Sequence, residues 1–188
     1  MKRIAIIAIA AALALPAIAA PETYIIDNSH TMPRFEYSHF GYSTQTSRFD
    51  KTTGKITIDR AAKTGSVDVT IDVKSVNTGN DTFNGHLKGE DFFDADKFPN
   101  ITFKSTAFKF DGDKPVAIDG NLTIKGITKP VTLAVSTFMC MPHPIAKKDA
   151  CGANATTKIK RSDFNNGKYA PYVSDEVTLV IPVESMKQ

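Results

Sequence analysis

The chain has 188 residues, 41% of them apolar and 23% charged, with a formal net charge of +3. Such a composition excludes a disordered or collagen-like chain, and the length fits one domain with a sizeable core. Lys and Arg are scattered rather than striped, so the charge pattern points to no nucleic-acid partner.

Met1-Lys2-Arg3 makes a positive start, Ile4 to Leu15 is almost wholly Ile, Ala and Leu, and Ala17-Ile18-Ala19 offers small residues where a signal peptidase reads. Pro16 interrupts a run already short for a bilayer span of roughly 20 residues. The expectation is a secretory leader over residues 1–19, cut after Ala19, and one domain over residues 20–188 that works in the periplasm. No cysteine lies near the cut, so no lipoprotein anchor is expected, and no later run predicts stable membrane insertion. Losing Lys2 and Arg3 leaves 21 basic against 20 acidic side chains, so the mature chain is nearly neutral.

Beyond the leader the period is two. Candidate strands run through residues 22–27, 34–40, 44–49 and 55–59. Val67, Val69, Ile71 and Val73 then alternate with Ser66, Asp68, Thr70 and Asp72, giving one dry and one wet face. Residues 81–88 form the one helical candidate, with Asp81 as N-cap and Phe83 and Leu87 on one face; it predicts a short cover over an open end. Strands follow at 101–110, 116–124, 131–135, 155–161 and 177–183. Turn signals stand at Thr53-Gly54, Lys63-Thr64-Gly65, Asp111-Gly112-Asp113 and Lys125-Gly126. Many short strands at regular spacing predict an all-β antiparallel sandwich or barrel, with a barrel favoured.

Cys140 and Cys151 flank a Pro-interrupted stretch between two strand-like runs. In an exported chain the simplest reading is a disulfide closing that loop. A metal or thiol-redox site is the alternative, with His143 as the only nearby extra ligand, but the spacing is not C-x-x-C.

Half of the twelve phenylalanines lie between Phe92 and Phe110, and so much aromatic area needs a large apolar sink. His86-Leu87-Lys88-Gly89-Glu90-Asp91-Phe92-Phe93-Asp94 followed by Phe98-Pro99-Asn100-Ile101-Thr102-Phe103-Lys104-Ser105 strongly resembles the signature of the YceI-like family. Tyr24-Ile-Ile-Asp27 with Ser29-His30, Phe35 and His39 with Gly41, Gly120 to Leu133, Ile159 to Phe164 and Val177 to Glu184 extend the likeness along the mature chain. Where the family usually has Gly before an Arg-Phe pair, this chain has Ser47 before Arg48-Phe49. The resemblance implies a secreted bacterial protein with a lipocalin-like barrel of about eight strands that binds a polyisoprenoid lipid.

No residue pattern for catalysis is present: there is no G-x-S-x-G, H-E-x-x-H, phosphate loop or C-x-x-C. His30, His39, His86 and His143 are scattered, although His30 and His39 could approach across paired strands as a two-His centre. Asp91, Asp94 and Asp96 read as turn and cap residues rather than a calcium loop. No cofactor and no metal are expected.

Binding is then the expected function, and the resemblance implies an isoprenoid lipid such as a prenyl phosphate or a quinone as ligand. The apolar phase of the strands offers Phe35, Phe49, Ile56, Val69, Ile71, Phe103, Leu122, Ile124, Leu133 and Leu179 as lining residues, with Phe83, Leu87, Phe92 and Phe93 at a lid. Alternation alone leaves open whether these fill the core or surround a cavity; the resemblance implies a cavity. A basic mouth residue, Arg48 or Arg161, would favour an anionic head. A fatty acid or fatty amide binder, a His-based metalloenzyme and a ligand-free envelope protein stand as alternatives, and a homodimer stays open.

Overall fold

The structure, a computed structural model, describes residues 20–188, so the expected leader lies outside the described residues. β1 (Glu22–Ile26), β2 (Arg34–His39), β3 (Ser43–Phe49), β4 (Thr52–Asp59) and β5 (Thr64–Asp72) lead through a 3-10 turn at Val73–Ser75 to β6 (Val76–Asn77) and helix α1 (Asp81–Lys88). β7 (Asn100–Asp111), β8 (Lys114–Ile124), β9 (Ile127–Pro142) and β10 (Asp149–Lys160) follow. A second 3-10 turn, Arg161–Phe164, precedes β11 (Glu176–Lys187).

Eight strands close into an antiparallel ring in the order β1-β4-β5-β7-β8-β9-β10-β11, with β11 returning to β1. Closure leaves no free edge around most of the wall, which removes the hazard of open sheets. β11 divides its edge opposite β10 between two partners: residues 185–187 pair with β1, and residues 178–180 pair with β2. β2, β3 and β6 therefore form a three-strand flap that raises the wall at one end.

Local chemistry explains most of the connections. Lys125 and Gly126, both at positive φ (49° and 74°), make the two-residue turn whose twist matches the flanking strands β8 and β9. The Thr53-Gly54 pair does not turn. Gly54 lies inside β4 at φ 146°, where a Cβ would meet the Asp68 carbonyl oxygen at 2.2 Å, so the glycine serves close strand contact. The cap of α1 is Asn80 rather than Asp81, its side chain accepting from the Phe83 N–H at 3.0 Å.

The cysteines also correct the loop reading. They are directly opposed residues inside β9 and β10, joined as a disulfide with Cα atoms 4.1 Å apart. The strands continue past them to Pro142 and Asp149, and His143 Nδ1 accepts from the backbone N–H groups of Ile145 and Ala146 at the hairpin tip.

At the disulfide end the barrel is filled. Tyr24, Ile58 and Cys151 are buried, with Phe110, Phe138 and Cys140 packed on them. The opposite end carries the flap, α1, the turn over residues 89–98 and the loop over residues 165–175. Among the described residues no helix is long and apolar enough to cross a membrane.

Candidate functional site

Period-two strands place every second side chain inside the ring, and in a packed core each of those would be buried. Here many are only half-buried: Ile56, Val67, Val69, Ile71, Leu179, Ile181 and Val183 point inward yet keep accessible surface. The surface they keep faces a cavity of about 900 Å³ inside the barrel. Such a volume is at the large end of small-molecule sites, and its walls are overwhelmingly apolar.

All fourteen residues singled out from the sequence border this cavity. Ile56, Val69 and Ile71 come from β4 and β5, Phe103 from β7, Leu122 and Ile124 from β8, Leu133 from β9 and Leu179 from β11. Phe35 and Phe49 come from the flap, and Phe83, Leu87, Phe92 and Phe93 from α1 and the turn after it. Phe93 meets Phe35 and Phe49 edge-on, with ring centres 5.9 and 5.4 Å away, so the signature aromatics lock the turn to the flap. That turn is held by its own backbone, with Phe93 N–H on Leu87 O and Ala95 N–H on Lys88 O. Phe103 lies across Gly120, where a Cβ would come within 2.4 Å of the ring.

The sequence reading did not single out several further lining residues. Phe108, Ile118, Val131, Val135, Ile159 and Ile181 follow the same alternation and were legible in principle. Asn166, Tyr169 and Val173 lie in a loop with no period, and no sequence signal marks them.

The mouth follows from the exposed residues among those lining the cavity. Apart from Arg34 in the side wall, these are Phe40 at the end of β2, Gly85, His86, Gly89, Glu90 and Asp91 on α1 and its turn, and Tyr169. Thus α1 and its turn border the opening opposite the disulfide. Arg161 is the cation built into this end. Its Nε donates to Ser174 O at 2.9 Å, Nη1 to Asn166 O at 2.7 Å and Lys168 O at 3.3 Å, and Nη2 to Val173 O at 2.8 Å. Four carbonyls hold the guanidinium and leave one of its five N–H groups uncommitted. Burial pushes its pKa down from the ordinary value, with Asp175 and Tyr37 opposing, and arginine still keeps its charge. Burial likewise raises the Tyr37 phenol, against the Ser47 hydrogen bond and the Arg161 charge. Arg48, the other sequence candidate for a basic mouth residue, is exposed, paired with Asp50 at 2.6 Å, and does not border the cavity.

The histidines do not converge. His30 precedes β2 and contacts Asp27 at 2.8 Å and Glu184 at 4.0 Å, whereas His39 ends β2, bridges to Val173 and packs on Phe40. A two-His centre is therefore not assembled. Asp27, His30 and Glu184 bring one ligand atom each within 4.8 Å of one another, and an exposed histidine paired to carboxylates accounts for that group. Hydrogen bonds and charge from Asp27 hold the His30 pKa above its usual value. Of the three sequence carboxylates, Asp91 pairs with Lys168 and Asp96 with Lys74, so they are dispersed rather than gathered as a calcium site.

Known proteins share this architecture. A model of the YceI-like domain matches residues 24–185. Protein YceI of Salmonella arizonae is 37% identical over 173 residues, covering 92% of this chain and 90% of that protein. The crystal structure of the Campylobacter jejuni YceI protein superposes with a TM-score of 0.70 at 31% identity, covering 80% of this chain and 90% of that one. A polyisoprenoid binding domain from Saccharophagus degradans shares the fold at 19% identity, with a TM-score of 0.66 over 88% of this chain and 98% of that domain.

Proposed function

The chain belongs to the YceI-like domain family, and from that premise we propose that it is a carrier for one long apolar lipid held inside the barrel. The observation that carries this reading is the hollow itself: an apolar cavity of about 900 Å³ where a structural barrel would be filled. At roughly 25 cal/mol per Å² of buried apolar surface, an isoprenoid chain drawn from water into these walls gains ample driving force. The Saccharophagus degradans domain, whose fold this chain shares, binds polyisoprenoid, which supports that ligand class here. Arg161 at the mouth end supports a polar or anionic head, as in a prenyl phosphate or a quinone. A fatty acid or fatty amide is the second reading, because an apolar tunnel reads length and girth rather than the isoprene unit.

The mature chain is taken to work in the periplasm after removal of the leader. The Cys140–Cys151 disulfide supports an oxidising compartment. Native mass spectrometry of protein prepared from its own periplasm tests the carrier. One lipid mass retained per chain is expected, and its fragmentation distinguishes isoprenoid from fatty chain. Protein that carries no lipid, and takes none up from added prenyl alcohol or fatty acid, would leave a ligand-free envelope role as the better account.

A further inference from the structure

Every exposed aromatic side chain among the described residues lies on two adjoining loops at the cavity mouth. Phe40 is 52% exposed and Tyr42 89%, beyond the end of β2; Tyr169 is 51% and Tyr172 67%, in the loop before β11. Exposing four such rings on a monomer surface is costly in water unless something covers them. The two loops are built as one unit. Phe40 N–H donates to Tyr172 O at 2.6 Å, the Phe40 and Tyr172 rings stack with centres 5.8 Å apart, and Ser174 N–H donates to Ser38 O. Tyr169 in turn packs at a tilt on Phe92 of the turn after α1, ring centres 5.9 Å apart, and Lys168 beside it pairs with Asp91. Phe40 and Tyr169 also border the cavity, so the exposed patch and the apolar interior are continuous.

We infer that this aromatic rim is a docking surface for a lipid bilayer, through which the cavity is filled and emptied. The inference rests on the carrier reading of the same cavity. A long apolar chain has its reservoir in a bilayer and almost none in water, so a mouth that meets the bilayer spares the ligand the aqueous step. Three of the four rings are tyrosines, whose apolar body and polar tip suit the membrane–water boundary. A second copy of the chain seated on the rim would instead shut the mouth. Lys168, beside Tyr169 on this rim, is engaged by Asp91, so what the rim itself presents to a bilayer is its rings.

The chain contains no tryptophan, so a single introduced one is a clean reporter. Tyr172→Trp is compared with Met139→Trp, an equally exposed position on the disulfide-end hairpin. Vesicles of phosphatidylethanolamine and phosphatidylglycerol with brominated acyl chains should quench the first reporter and leave the second unchanged, with little dependence on the phosphatidylglycerol fraction. Tyr42→Ser with Tyr172→Ser, neither of which borders the cavity, should slow transfer of a fluorescent prenyl alcohol from these vesicles by at least about tenfold. Its capacity for the same probe added from detergent should stay unchanged. Equal quenching at both positions, no quenching at either, or a concentration-dependent blue shift of Tyr172→Trp without vesicles would overturn the inference. The last result would assign the rim to self-association. Failure to hold the probe from any source would strike the carrier reading instead, while the quenching still reports on docking.

Discussion

The two ends of the barrel use the same alternating strands for opposite purposes. At the disulfide end, Tyr24, Ile58, Phe110 and Phe138 meet across the axis, and directly opposed cysteines tie β9 to β10. Toward the mouth end, aliphatic positions such as Ile71, Ile124 and Leu179 share the wall with Phe35, Phe49 and Phe103, and further cover comes from α1, the turn over residues 89–98 and the loop held by Arg161. A barrel of eight strands is wide enough that filling it takes large side chains aimed inward at one level. At the disulfide end such chains pack on one another, and the cavity lies between that plug and the cover at the mouth.

Removing a plug from the filled end should have the largest effect. Tyr24→Ala, at a position 2% exposed, is expected to cost about 3–5 kcal/mol in urea unfolding while the affinity of the folded protein for a prenyl alcohol stays near that of the parent. A loss under roughly 1 kcal/mol would mean the end is not the anchor. Replacing both cysteines by serine should cost ~3 kcal/mol, because the bond closes a loop with sequence separation 11 in the unfolded chain. Uptake should again be unaffected.

The hollow region should respond the other way round. Val69→Trp places an indole in free space, so uptake is expected to vanish with a stability change below about 1 kcal/mol, where a filled core would lose about 1–3 kcal/mol to overpacking. At the mouth, Arg161→Lys keeps the charge but not the fork that spans four carbonyls. Amide exchange over residues 165–175 should speed up and ligand release with it, while the disulfide end keeps its protection.

The smallest effect belongs to His30, outside both ends. Its pKa is raised by Asp27, so the contribution of the pair to stability is present below the unfolded value and is lost as pH rises through the folded one. Because His30 is exposed, the readout is an NMR titration rather than an unfolding curve: the midpoint should sit above about 6.5 and fall in Asp27→Asn.

Much of the wall was legible from the chain alone. Ten strand segments and the inward phase at Val69, Phe103 and Leu122 follow from period two, which is a local property of extended backbone. Turn chemistry was less secure. Lys125-Gly126 turns because both residues accept positive φ, whereas Gly54 is in the sequence for close strand contact, and a lone glycine signals either. The Asp81 cap was one residue off, since Asn80 and Asp81 are both good caps and only the backbone direction entering α1 chooses between them.

Which residues turn inward, that the fold is β and, through the run from His86 to Ser105, which family the chain belongs to can all be read from the chain's own order of residues. That the inside is hollow, that the cysteines oppose one another within paired strands rather than at a loop's ends, and that Phe40, Tyr169 and Tyr172 share one rim emerges once the strands have closed. Facing inward is set by each strand's own pleat, whereas empty space and shared surfaces depend on what comes from strands and loops more than a hundred residues away. No local pattern encodes a distance across the ring.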